Sequence, residues 1–149
     1  MYRLFTLTEA TRLLPVVDEH LGALQGAAAD VAQLRERLAD LSGTSVEANN
    51  VSKEIAFLLG VIHGSKAELD RLGVQIRDVE EGLVDFPSQL GAEVVCLTWE
   101  KGQDAITHYH ALSGDTATRP LPPGLGEATN PAEGRRSGPS RSGNSSTSA

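Results

Sequence analysis

The chain has 149 residues, 40% of them apolar but only 4% aromatic, and a formal net charge of −7. That is enough for one modest core built mostly from Leu, Val and Ala, and the negative field argues against nucleic acid as a partner. One cysteine, Cys96, excludes an intrachain disulfide framework, and the lack of any run of about 18 apolar residues argues against a membrane span.

The charge is unevenly placed. Met1–Arg119 carries 10 Lys+Arg against 18 Asp+Glu, and Pro120–Ala149 carries 3 against 2. The acidic surface therefore belongs to the part with folding signals. Arg135, Arg136 and Arg141 make only a thin basic tail.

Thr6-Leu7-Thr8-Glu9 is a capping box that opens a helix. Apolar residues then recur at Leu14, Val17, Leu21, Leu24, Ala28, Val31, Leu34, Leu38 and Leu41, a heptad seam with one skipped residue near Val31. Pro15 removes a hydrogen bond to Thr11, which predicts a kink or a separate first segment. Ser42-Gly43 marks the end, with Gly43 free to turn left-handed. The polar stretch Thr44 to Asn50 reads as the turn. A second seam follows at Val51, Ile55, Leu58, Ile62, Ser65, Leu69 and Leu72, closed by Gly73. A short connection makes the two helices antiparallel. Gly22 and Gly26 on one helix, and Gly60 and Gly64 on the other, predict close helix approach.

After Gly73 the period falls to two, as in strands. Val74–Arg77 is a short strand, Asp78–Gly82 a turn, and Leu83–Phe86 a second strand closed by Pro87. Ser88–Ala92 reads as loop and Glu93–Trp99 as a third strand. Lys101-Gly102 is a two-residue turn, and Asp104–His110 returns as a fourth strand. Thr116–Pro123 reads as an extended arm. The expected organisation is one α+β domain, residues 1–121: a long antiparallel two-helix hairpin (7–72) packed on a small antiparallel β-sheet (74–112). The Gly/Ser/Pro-rich tail, 122–149, is expected to be disordered.

Several of these motifs together resemble an uncharacterised bacterial family, the domain of unknown function 2203. They are Phe5-Thr6-Leu7-Thr8-Glu9-Ala10 with Leu13-Leu14-Pro15, then Gly82-Leu83-Val84-Asp85-Phe86-Pro87. Cys96-Leu97-Thr98-Trp99 follows, running on through Ile106, His108-Tyr109-His110, Gly114 and Arg119-Pro120. The resemblance spans about residues 3 to 121. It departs at Glu100, Gly102-Gln103 and Tyr109-His110. It implies a helical hairpin joined to a small C-terminal β element, and no function.

Chemistry concentrates between Gly82 and His110. His108 and His110, two apart on a strand, project from one face. The Lys101-Gly102 turn sets Leu97 opposite Ile106, Val95 opposite His108 and Glu93 opposite His110. His108, His110, Asp85 and Glu93 are then the candidate metal ligands, suited to zinc or iron with an open position. The competing reading is a wet strand end, with His108 half-buried, His110 at the surface and Asp85 an Asx turn or cap before Pro87. A third reading has Asp85 orient one of the histidines. Alternation points Cys96 to the opposite face, as a buried small hydrophobe rather than a nucleophile. Trp99 reads as a core plug. No phosphate loop, nucleophile elbow or HExxH is present.

Leu13, Ala56, Phe57 and Leu59 add apolar surface outside the helical seams. This favours a small, non-catalytic cytoplasmic interaction or regulatory protein, homodimeric through its hairpin and with a further protein partner. The N-terminus, with no signal-peptide core, fits the cytoplasm. The alternative is a metal- or ligand-binding protein, or a metal-dependent enzyme, centred on Asp85, His108 and His110. Phe57 with Val61 discriminates: burial within one chain predicts a monomer, exposure an interface.

Overall fold

A computed structural model of the protein describes residues 3–112 and 117–123. The fold class is α+β: two helices and a five-stranded antiparallel sheet. The remainder of the expected tail, from residue 124 on, lies outside the described residues. The chain separates into two compact units. One holds Leu14–Val84 with Glu100–Gly102. The other holds the N-terminal segment to Leu13, Asp85–Trp99 and the chain from Gln103 on.

Helix α1 (Leu7–Ala39), which lies in the first unit from Leu14 on, and helix α2 (Val46–Leu72) form the hairpin. Leu14, Val17, Leu21, Leu24 and Val31 are buried, and Ala27 takes the place expected of Ala28. Val31, Val51 and Ile55 form a cluster, with Leu34, Leu38, Leu41, Leu58 and Ile62 against it, as two antiparallel seams require. Helix α2 starts earlier than expected. The Ser45 hydroxyl accepts from the Ala48 amide at 3.0 Å, so Ser45 is the N-cap within what read as a turn. Gly73 closes α2 at φ +90° with its N–H on the Asp70 carbonyl, as its position predicts.

Three local expectations need correction. Of the two outcomes expected at Pro15, the separate first segment is not formed, since α1 runs unbroken from Leu7; Thr11 and Pro15 are exposed, so water is at hand for the Thr11 carbonyl. Helix α1 ends at Ala39 rather than Ser42, and Gly43 does not adopt positive φ. The helix glycines do not mark close helix approach. A β-carbon at Gly26, Gly60 or Gly64 would meet nothing within 4 Å, and at Gly22 it would meet Lys101. Lys101 passes there to reach the Asp18 carboxylate at 2.5 Å.

The strands are β1 (Gln75–Asp78), β2 (Leu83–Leu90), β3 (Glu93–Glu100), β4 (His108–Ala111) and β5 (Arg119–Pro120), in that order across the sheet. Strand β2 does not stop at Pro87 but continues to Leu90. Proline gives no N–H to a ladder. The N-terminal segment pairs there instead: Phe5 N–H donates to the Pro87 carbonyl at 2.7 Å, and the Ser88 hydroxyl donates to the Phe5 carbonyl at 2.5 Å. The extended arm is present as β5, with Tyr109 opposite Arg119.

Gly82 sits at φ +72° in the turn before β2, with its carbonyl taking the Lys101 N–H at 2.8 Å. A β-carbon there would lie 2.9 Å from that of Lys101. Gly82→Ala is therefore expected to cost about 1–3 kcal/mol from backbone strain alone. Gly26→Ala, in open space on a helix, should stabilise by up to about 1 kcal/mol. Urea unfolding of the two variants beside the parent checks the contrast; equal effects would refute this account of the two glycines.

Candidate metal centre

The β3–β4 connection decides the site. It is not the two-residue Lys101-Gly102 turn but runs through residues 101–107, so Asp104–Thr107 is loop and β4 begins at His108. The Trp99 indole N–H donates to the Gln103 carbonyl at 3.0 Å and holds the start of this loop. Trp99 itself is buried.

The longer loop moves the register. Cys96 pairs with His110, Leu97 with Tyr109 and Thr98 with His108. The expected partner of His110 was Glu93, three residues away. An odd displacement exchanges the faces of a strand. Cys96 therefore shares a face with His110, contrary to the sequence expectation, and Glu93 lies beyond the paired residues of β4.

Asp85 on β2, Cys96 on β3 and His110 on β4 converge. One ligating atom from each lies within 4.8 Å of the others. All three are buried, at 6%, 2% and 4% exposure. His110 is therefore not at the surface. Among the described residues, neither His108 nor Glu93 joins a group of this kind. The His108 Nδ1 bonds the Thr107 hydroxyl at 2.8 Å, and Glu93 is exposed.

Each donor is oriented by a second partner. The Asp85 Oδ1 accepts from the Thr98 hydroxyl at 2.6 Å. The His110 Nδ1 lies 2.7 Å from the Ala111 carbonyl, and the Nε2 lies 3.1 Å from the Asp85 Oδ2. A carbonyl only accepts, so Nδ1 carries a hydrogen. In a neutral ring Nε2 then carries none, and its contact with Asp85 needs a shared proton or a cation. The expectation that Asp85 orients a histidine matches this contact.

Sequence reasoning missed Cys96 as a member of the group and Thr98 as the partner of Asp85. Both stand on the strand that was identified. Only the length of the following loop, hence the register, was misjudged. Asp85 was separable from a plain cap only by seeing its partners.

The fold and this cluster define a small α+β protein in which three metal-ligating residue types meet on adjacent strands. Residues 3–121 match the family described as uncharacterized conserved protein (DUF2203), and the chain belongs to that family. No curated protein and no solved structure matches the chain. Among the described residues, no helix is long and apolar enough to cross a membrane.

Proposed function

We propose that Asp85, Cys96 and His110 bind one divalent cation of the zinc class, and that the ion fastens β2, β3 and β4 to one another. The observation that carries this is the convergence of three unlike donors, one per strand, within 4.8 Å in a buried site. A thiolate with an imidazole selects zinc or iron over magnesium or calcium. The Ala111 carbonyl on Nδ1 leaves Nε2 facing the site, the tautomer a ligating histidine needs. The Thr98 hydroxyl fixes the carboxylate in the same way. Three protein donors leave one position of a tetrahedral ion open.

Ligation needs a thiolate, a carboxylate and a neutral imidazole, so the ion competes with protons for the donors. Apparent metal affinity is therefore expected to rise with pH. The test is metal content of the full chain, purified without a metal column, and cobalt(II) titration followed by its visible bands. One equivalent is expected. Folded Cys96→Ser should lose it, while His108→Ala and Glu93→Gln should keep it. An inert parent, or Cys96→Ser binding like the parent, would overturn the assignment. So would loss of binding in His108→Ala or Glu93→Gln.

A second reading, a cytoplasmic interaction module that self-associates through its hairpin, is favoured by a separate observation. Phe57 is 70% exposed and Val61 half-buried, so the aromatic of the discriminating pair is the one that favours an interface.

A further inference from the structure

Helix α2 carries a second seam, opposite its buried one. Lys53, Phe57, Gly60, Gly64 and Glu68 follow each other at gaps of 4, 3, 4 and 4 residues, so they share one face. Lys53, Phe57, Gly60 and Gly64 are exposed, and Glu68 is half-buried. A β-carbon at either glycine would meet nothing within 4 Å. The protomer therefore has a bulky aromatic standing one turn from an open hollow on the same outward face. At 27 residues the helix is about 40 Å long, so the face has room for a partner helix.

The charges on this face are Lys53, Glu54, Glu68 and Arg71, which sum to zero on a chain of net charge −7. An acidic protein repels its own copies over most of its surface, and here that repulsion is absent. The pattern is also self-complementary. Let a second α2 lie antiparallel, with a two-fold axis between Gly60 and Val61. Phe57 of each copy then lies opposite Gly64 of the other, and Lys53 of each lies opposite Glu68 of the other, whose carboxylate also holds Arg71 of its own helix at 2.8 Å. An isologous interface requires this kind of reciprocity. Aromatic side chain meets hollow, and cation meets anion, twice each.

We infer that the protein dimerises through the outer face of α2, the partner being a second antiparallel copy with Phe57 seated over Gly64 and Lys53 paired with Glu68. This rests on the self-association reading and names its surface and geometry. It does not depend on the metal centre.

Sedimentation equilibrium on the full chain tests it, with circular dichroism to verify folding. The parent is expected to be a dimer. Phe57→Glu should raise the dimer dissociation constant by at least about thirtyfold, the mark of a central anchor. Gly64→Leu is the sharper variant. It improves helix propensity and enters open space in the protomer, so the protomer should keep its fold by circular dichroism, yet it fills the hollow and should break the dimer. Lys53→Glu should weaken association by about tenfold, and adding Glu68→Lys should restore it, since the reversed pair attracts again. A parent monomeric at all concentrations would overturn the self-association reading. A parent dimer untouched by Phe57→Glu and Gly64→Leu would overturn this interface while leaving self-association standing. Failure of the double charge reversal to restore the dimer would overturn the antiparallel pairing.

Discussion

His110→Ala is expected to destabilise the protein by about 3–5 kcal/mol, because it removes one partner of a buried carboxylate. Both ring nitrogens are engaged, one with the Ala111 carbonyl and one with Asp85. Asp85, 6% exposed, would keep the Thr98 hydroxyl, which cannot neutralise a charge. Most of the cost is thus the loss of a neutralising group beside the buried acid, not the lost imidazole contacts. The double variant Asp85→Ala/His110→Ala should then be less destabilised than the two single variants predict, by about 1–3 kcal/mol. Urea unfolding at neutral pH measures the cycle. Strict additivity would mean that Asp85 and His110 do not act as a pair.

Chelation tests the ion through stability as well. An ion held a hundredfold above its dissociation constant adds about 2.7 kcal/mol of stability, roughly 10 °C in Tm for a domain of this size. Chelation should take that from the parent and leave Cys96→Ser unchanged. An equal response of both proteins to the chelator would remove the ion from the account.

Phe86→Ala is the other large effect expected, at about 3–5 kcal/mol. Phe86 is fully buried, and its ring meets that of Phe5 edge-on at 5.3 Å and 89°. Phe5 is itself pinned by its N–H on Pro87 and covered by the Arg3 guanidinium at 4.4 Å. Truncation opens a cavity that the sheet, fixed by its hydrogen bonds, cannot close. Out of a typical total of about 5–15 kcal/mol, this approaches the limit of folding. The urea midpoint should fall with the slope unchanged. A loss below about 1 kcal/mol would mean that the Phe5–Phe86 pair packs elsewhere than described.

The helices were legible because their signals are local or strictly periodic. The Thr6–Glu9 box forms in both directions, at 2.9 and 3.0 Å. Val51, Ile55 and Leu69 are buried where the 4–3 spacing puts them, and Gly73 turns left-handed where the seam ends. Each of these depends on neighbours within about one turn. The errors fall where a distant segment intervenes. Pro87 stays in a strand because Phe5, far away in sequence, supplies the missing pairing. Gly22 faces the Lys101 side chain, not the other helix.

Residue by residue, the sequence determined the two helices and their buried stripes. It also determined the approximate strands and the presence of Asp85 and His110 among the chemically capable residues. Those properties follow from periodicity and from short-range hydrogen bonding. Only the tertiary structure decided that Cys96, not Glu93 or His108, completes the group. A strand's alternation states which residues share a face but not which face meets its neighbour. That choice lies in the register, and here a loop of residues 101–107 moved it by three positions. Because side chains alternate with period two, an odd displacement carried one acid away from the site and one thiol into it.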